Sequence, residues 1–186
     1  MVAAAGLATP GILVLVALVV SAAAATATAV ALGSRADLAS SRHRVDAAWS
    51  ALRPALDARY RDLGAAAGVA HDRLGADRSV FDDVGRAVAA WPGTAGQPTD
   101  RQVAAAVALE GLAGRLAAVV AATPRLRAAG DVGEAMRQLQ QSDSGAGRAA
   151  YNGAVAAYQR ARGGFPRRLV AGALGYDDRR TFETPA

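Results

Sequence analysis

The feature that most limits how this chain can fold is an N-terminal stretch without charged side chains, which runs from Met1 to Ser34. Within it, residues 11–32 read GILVLVALVVSAAAATATAVAL. As one α-helix these residues would extend roughly 33 Å, enough to cross a bilayer core of about 30 Å. We therefore predict a membrane-spanning helix, with residues 1–33 forming the N-terminal tail and anchor and residues 34–186 forming the body.

The alternative to a retained anchor is a cleaved secretory signal. Small residues from Ser21 onward, SAAAATATA, can be read as a cleavage region. However, no basic residue precedes the apolar core, and the uncharged run continues well past such a site. Both observations favour a retained, single-pass anchor.

Arginines determine the predicted orientation of that anchor. None precedes the apolar stretch, whereas six follow it closely: Arg35, Arg42, Arg44, Arg53, Arg59 and Arg61. Basic residues that flank a membrane span remain preferentially on the cytoplasmic side. We therefore predict that the N-terminus lies outside the cell membrane and that the body is cytoplasmic.

The body has the hydrophobic periodicity of packed helices. Apolar residues recur at spacings of three, four or seven from Leu38 to Leu63, and again from Leu74 to Trp91. Both runs form seams like those of coiled coils. Pro54 lies inside the first run and is expected to kink the helix or to mark a restart.

Later segments continue the helical pattern. Residues 92–99, PGTAGQPT, have the composition of a linker. Thr99 and Gln102 match a capping box at the start of a helix that should end at Thr123. A short helix capped by Asp131 is predicted to follow. The buried stripe of the helix from Thr99 is expected at Val103, Val107, Leu112, Leu116 and Val119. The predicted fold is all-α, an N-terminal transmembrane helix followed by an antiparallel helical bundle.

Large rings are scarce in this alanine-rich chain, and three of them recur at intervals of seven. Tyr151, Tyr158 and Phe165 should therefore lie on one side of a helix. We expect these rings to pack in the core, against the seam that contains Val45 and Trp49.

The stretch from 165 to 176, FPRRLVAGALGY, reads as a short amphipathic segment. Arg167 and Arg168 flank its apolar side, and Arg179 and Arg180 follow it. If the last helix returns toward the bilayer, these four arginines are candidates for contact with anionic headgroups. The alternative is an ordinary solvated cap on the bundle, and the sequence does not choose between the two.

No pattern in the chain is suited to catalysis or metal binding. Cysteine is absent. Ser40, His43 and Asp46 share a helix, but Ser40 and Asp46 would lie nearly two turns apart, too far for one imidazole to bridge them. His71 has no second histidine at metal-ligand spacing. We predict no enzymatic activity, no cofactor and no metal site.

Nucleic acid is also not expected as a partner. The net charge is +5, but 21 arginines are interleaved with 16 acidic residues, and no basic run contains interspersed aromatic residues.

Three segments, in order, resemble the LemA family. The first is RHRVDAAWS, with Val45, Asp46 and Trp49, and the second is VVAATPRLRAAGDVGEAMRQLQ. The third resembles the C-terminal signature of the family, although its second Tyr-Asn is Tyr158-Gln159 here. The signature residues are Arg148, Tyr151, Asn152, Tyr158, Phe165, Pro166, Leu169, Ala171, Gly175, Tyr176 and Phe182.

The resemblance implies a single-pass bacterial membrane protein whose body is a helical bundle without established catalytic activity. It implies an interaction or scaffold module at the cytoplasmic membrane that binds unidentified protein partners or itself. The alternative function is an extracytoplasmic domain, anchored or secreted, that senses or binds a ligand outside the cell.

Overall fold

The computed structural model describes residues 8–73, 79–142, 144–165 and 167–183, and these residues form helices without β-strands. The all-α prediction is confirmed. The elements in chain order are α1 (Ala8–Arg73), α2 (Ser79–Ala90), a 3-10 helix (Trp91–Thr94), α3 (Thr99–Ala122), α4 (Pro124–Ala128), α5 (Gly130–Gln141), α6 (Gly145–Gly163) and α7 (Arg167–Ala173).

The chain divides into two compact units. The anchor unit consists of Met1–Ser41 and Arg160–Asp177, and the bundle unit consists of Arg42–Gln159 and Asp178–Ala186. This division follows contacts, whereas the predicted boundary after residue 33 follows hydropathy. It groups the predicted amphipathic segment 165–176 with the N-terminal half of α1.

The N-terminal half of α1 is apolar and exposed. Its large exposed side chains are Val14, Leu15, Val16, Leu18, Val19, Val20, Val30 and Leu32. Two helices in the described part of the chain are long and apolar enough to cross a membrane, α1 and α3. The apolar part of α1 is not buried at all, whereas α3 is partly buried, as expected for a core helix of the bundle.

Helix α1 passes through Pro54 without a restart, so that part of the prediction is wrong. Proline removes one helical hydrogen bond, which leaves the carbonyl of Ser50 without its usual donor. Pro54 and Ser50 are both exposed, so water can hydrate that carbonyl at little cost. The apolar half and the bundle half of α1 are therefore one element.

In the bundle unit, α2 runs antiparallel to α1 and α3 runs parallel to it. The rings of Tyr60 and Trp91 meet edge to face at 4.9 Å, while His71 lies opposite Phe81 at 6.1 Å. Residue numbers thus rise along α1 as they fall along α2. Along α3 they rise together with α1, because Trp49 bonds to Gln102 and Arg59 to Glu110.

Helices α5 and α6 together form the fourth leg of the bundle, where a leg is one of its antiparallel helical segments. Arg73 near the end of α1 pairs with Asp131 at the start of α5, whereas Trp49 packs against Tyr151 of α6. The direction is therefore antiparallel to α1 along both helices. The four legs alternate in direction, which confirms the predicted antiparallel bundle.

Both predicted side-chain caps are wrong, although the helices begin close to the predicted positions. The N-cap of α3 is Pro98 and that of α5 is Ala129, and neither cap makes a side-chain hydrogen bond. Thr99 instead donates its hydroxyl to Asp46, and Asp131 pairs with Arg73. The Asp131 carboxylate also accepts the N–H of Val132 at 3.0 Å, but from inside the first turn of α5 and not from the N-cap position.

The predicted aromatic row is correct for two of its three rings. Tyr151 and Tyr158 are fully buried, together with Val155 between them. Phe165 is 86% exposed, and its prediction as a core residue is wrong. Helix α6 ends at Gly163, so the seven-residue spacing no longer places Phe165 on the buried face.

The predicted linker 92–99 does connect α2 with α3, but it is structured. Its first residues continue the 3-10 helix that begins at Trp91, and Thr94 is buried. The backbone carbonyl of Gln97 accepts a hydrogen bond from the side-chain amide of Gln102 at 2.6 Å.

Candidate functional site: the tail clamp

The chain's C-terminal tail, which we define as residues 178–183, lies along side chains from three distant segments of the bundle unit. The tail has no regular secondary structure. We call the side chains that hold it the tail clamp: Asp46, Asp100, Arg148, Tyr151 and Asn152. Four of these five are motif residues of the resemblance described above, and Asp100 is new.

Asn152 binds the main chain of Phe182 with both ends of its amide. Its Nδ2 donates to the Phe182 carbonyl at 2.9 Å, and its Oδ1 accepts from the Phe182 N–H at 2.7 Å. Among side chains of this size, only an amide supplies one donor and one acceptor side by side. Asn152 therefore binds the backbone of a segment without regular secondary structure through one donor and one acceptor.

Tyr151 links the tail to the core. Its hydroxyl donates to the carbonyl of Arg180 at 2.9 Å, and its ring meets that of Trp49 edge to face at 5.4 Å. Trp49 in turn donates its Nε1–H to Gln102 at 2.8 Å. Burial raises the pKa of Tyr151 well above its usual value, so the folded state favours the neutral phenol that donates this hydrogen bond.

Arg179 lies between two carboxylates. Its guanidinium is 3.3 Å from Asp46 and 3.3 Å from Asp100, and its side chain is only 10% exposed. The N–H of Arg180 also donates to Asp100, at 3.2 Å. The lipid-facing prediction is therefore wrong for Arg179, because its charge is held inside the bundle unit by acidic partners.

Arg148 covers the end of the tail. Its guanidinium lies 5.6 Å from the centre of the Phe182 ring, within the range of a cation–π contact. The same guanidinium is 3.7 Å from the carboxylate of Glu110, and the Phe182 ring is 3% exposed. Phe182 is therefore the residue that anchors the tail in the bundle.

Arg59 and Glu110 form a buried ion pair that sequence reasoning missed. The guanidinium makes two bonds to the carboxylate, at 2.7 and 2.9 Å, and a third to the carbonyl of Leu139 at 2.9 Å. The pair thus joins α1, α3 and α5. The missed signal is that Glu110 lies seven residues after Val103, on the buried face of α3.

The buried stripe of α3 differs from the predicted one. Val107, Leu112 and Val119 are only half-buried. The fully buried face instead contains small and polar residues, and it consists of Gln102, Val103, Ala106, Leu109, Glu110, Ala113 and Leu116. The predicted stripe consisted of the larger apolar residues of α3, so it did not include the buried polar residues Gln102 and Glu110.

The remaining motif residues lie in different places. Val45 and Tyr158 are buried in the bundle unit, whereas Leu169 is 66% exposed. Gly175 has a φ of 67°, and the N–H of Tyr176 donates to the carbonyl of Ala171 at 3.0 Å. This is the bond pattern that ends a helix through a left-handed residue, which explains the glycine. Pro166 lies outside the described residues.

Each side chain of the tail clamp contacts the tail, an arrangement suited to holding a peptide. The carboxylate of Asp46 accepts from the hydroxyl of Thr99 and pairs with Arg179, so it does not face His43 as a triad member would. Within the described ranges, no three His, Asp or Glu side chains are grouped so as to hold a metal ion.

A family model, that of the LemA family, matches residues 48–186. This chain belongs to the LemA family. The match includes Trp49 and the tail clamp residues from Asp100 onward, so most of the clamp lies within the region that defines LemA proteins. The apolar half of α1 precedes the matched region. Searches of curated proteins and of solved structures give no match.

Proposed function

We propose that this LemA-family protein is a non-enzymatic helical module, anchored in the bacterial cytoplasmic membrane, that binds partner proteins or further copies of itself. The observation that carries the proposal is the exposed apolar half of α1, which continues in one helix into the bundle. Such an apolar surface is unfavourable in water and is stabilised in hydrocarbon.

The contacts of the motif residues favour a structural role over a catalytic one. Tyr151 and Asn152 use their polar atoms on the tail, and the two carboxylates of the clamp hold Arg179. A nucleophile or general base needs a side chain that faces an open site. The clamp therefore supports a module with a stabilised surface, which presents its outer helix faces to protein partners.

The experiment that tests the topology uses the absence of cysteine from this chain. A single cysteine is introduced at Ala186, and intact cells are treated with a membrane-impermeant maleimide. We expect labelling only after lysis, because the arginines after the apolar stretch favour a cytoplasmic body. Labelling on intact cells would support the alternative of an extracytoplasmic sensing or binding domain.

The binding role requires a second experiment, because topology does not test it. A photo-crosslinking residue is placed on an exposed position of the bundle, Ala128, and compared with one at the buried Leu126. We expect defined crosslinked products from the exposed position, either with another protein or with a second copy. Identical patterns from both positions, or none in membranes, would contradict the binding role.

A further inference from the structure

Phe165 and helix α7 expose large apolar side chains in the anchor unit. Phe165 is 86% exposed and Leu169 66%, whereas Ala171 on the same short helix is 3% exposed. Leu169 and Ala171 are two residues apart, about 200° around the helix, so they lie on opposite faces. Helix α7 thus packs through one face and leaves the apolar side chain of Leu169 uncovered on the other.

An ion pair places α7 close to the end of the apolar stretch of α1. Nη2 of Arg167 lies 2.7 Å from Oδ2 of Asp37, within the same compact unit. Asp37 comes five residues after Leu32, the last residue of the apolar stretch. The start of α7 is therefore about 8 Å along the helix axis from the predicted boundary of the hydrocarbon core. That distance corresponds to the headgroup layer of a bilayer.

The charges beside the exposed apolar residues suit such a layer. Arg168 is exposed next to Leu169, and the Arg167 side chain remains 43% exposed despite its ion pair. Arg35 is also exposed, between the apolar stretch and Asp37. Exposed apolar side chains combined with guanidinium groups characterise segments that lie in the interface of an anionic membrane.

We propose that Phe165, Arg168 and Leu169 form an interfacial foot, which inserts its two apolar side chains at the headgroup–acyl boundary of the bilayer that α1 crosses. Arg168 contacts anionic headgroups beside them. This inference rests on the proposed membrane anchor. It adds a second, lipid-selective attachment, which restrains rotation and tilt of the anchor unit relative to the bilayer.

The experiment compares three single-cysteine variants of the full chain, Val19→Cys, Leu169→Cys and Ala128→Cys, each carrying an environment-sensitive fluorophore. All three positions are exposed, and they lie in the anchor, the foot and the bundle respectively. The proteins are reconstituted in vesicles of neutral phosphatidylcholine, with or without anionic phosphatidylglycerol. Quenching by spin-labelled lipid is measured against quenching by aqueous iodide.

We expect lipid quenching at residues 19 and 169 and iodide quenching at residue 128. In the anionic vesicles, Arg168→Gln should shift the balance at residue 169 toward iodide by about fivefold, the effect of one arginine near an anionic surface. The matched control, Arg125→Gln, removes the same charge from an exposed position of the bundle and should leave that balance unchanged.

Other outcomes would overturn the inference in distinguishable ways. Lipid quenching at residue 19 with only iodide quenching at residue 169 would contradict the interfacial foot but agree with the membrane anchor. Protection of residue 169 from both quenchers would mean that protein, such as a second copy, covers it. Iodide quenching at residue 19 would contradict the membrane anchor itself, and the foot with it.

Discussion

Asn152 and Tyr151 hold the tail through bonds that a residue of similar size but different hydrogen-bonding groups would not make. Asn152 pairs one donor and one acceptor with the backbone of Phe182, and Tyr151 donates its hydroxyl to the carbonyl of Arg180. The sequence identified both residues through the family resemblance and predicted that the Tyr151 ring packs against the seam of Trp49, but it gave the polar atoms of these residues no partner. The partner lies about 30 residues further along the chain, and only the return of the tail brings them together.

Replacing Asn152 with Asp should loosen the tail. The carboxylate keeps an acceptor for the N–H of Phe182 but places a second acceptor against its carbonyl, which costs about 1–3 kcal/mol for a part-buried group. Urea unfolding and the rate of carboxypeptidase digestion measure the effect. Gln159→Glu is the matched control, because the same exchange there occurs at an exposed bond to Arg179. Equal effects at both sites would contradict the clamp.

The contact between Trp49 and Tyr151 should be measurable as a coupling energy. Each ring is buried, so truncation to Ala should cost about 3–5 kcal/mol in unfolding free energy. The double variant should fall short of the sum by about 0.5–1.5 kcal/mol, because the rings meet edge to face. Near-zero cost for either single variant would contradict the packed seam, and strict additivity would contradict the contact.

Among the helices, α1 performs two tasks with one continuous backbone. Its apolar half exposes the large side chains that the structure describes there, while its bundle half buries Val45, Leu52 and Leu63 on one face. Hydropathy predicts the apolar helix and periodicity predicts the buried seam, because both signals depend on local composition. Continuity through Pro54 was not predictable, because it depends on whether the freed carbonyl is exposed to water.

A charge in the middle of the apolar stretch should release the protein from membranes. Arginine costs about 2.5–3.5 kcal/mol at the centre of a spanning helix, so Val20→Arg should increase the fraction recovered in the supernatant after a carbonate wash. Ala128→Arg introduces the same side chain at an exposed position of the bundle and serves as the control. Retention of the Val20 variant at the level of the control would argue against a spanning helix.

Across the entire fold, buried polar groups connect legs that apolar packing alone would leave interchangeable. Arg59 and Glu110 join three helices, and Tyr60 donates its hydroxyl to the carbonyl of Ala106 at 3.1 Å. In a chain rich in alanine, each buried residue removes little apolar area from water. Directional bonds therefore contribute to specifying which helix faces meet.

Alkaline pH should destabilise the bundle through its tyrosines. Burial raises the pKa of Tyr60 and of Tyr151 above the ordinary value of 10.0. The folded protein thus holds these protons more tightly than the unfolded chain, and this stability is present below pH 10 and lost as pH rises above it. The chain has no lysine or cysteine, so tyrosine is its only side-chain type whose ordinary pKa lies between about 9 and 12.

The urea midpoint, measured from pH 8 to pH 11, is therefore expected to fall above pH 10. Replacing Tyr60 and Tyr151 together by Phe should flatten that decline, although it lowers the starting stability through the lost hydrogen bonds. An equally steep decline in the double variant would show that other groups cause it.

Local patterns were enough to predict the helices, the apolar stretch and the antiparallel bundle, since hydrophobic periodicity and turn residues act over a few positions. The sequence could not reveal that the tail returns to Asn152, that Arg179 lies between Asp46 and Asp100, or that Phe165 leaves the core. These features depend on pairs far apart in the chain. Only the packed bundle brings them within the roughly 3 Å at which hydrogen bonds and ion pairs form.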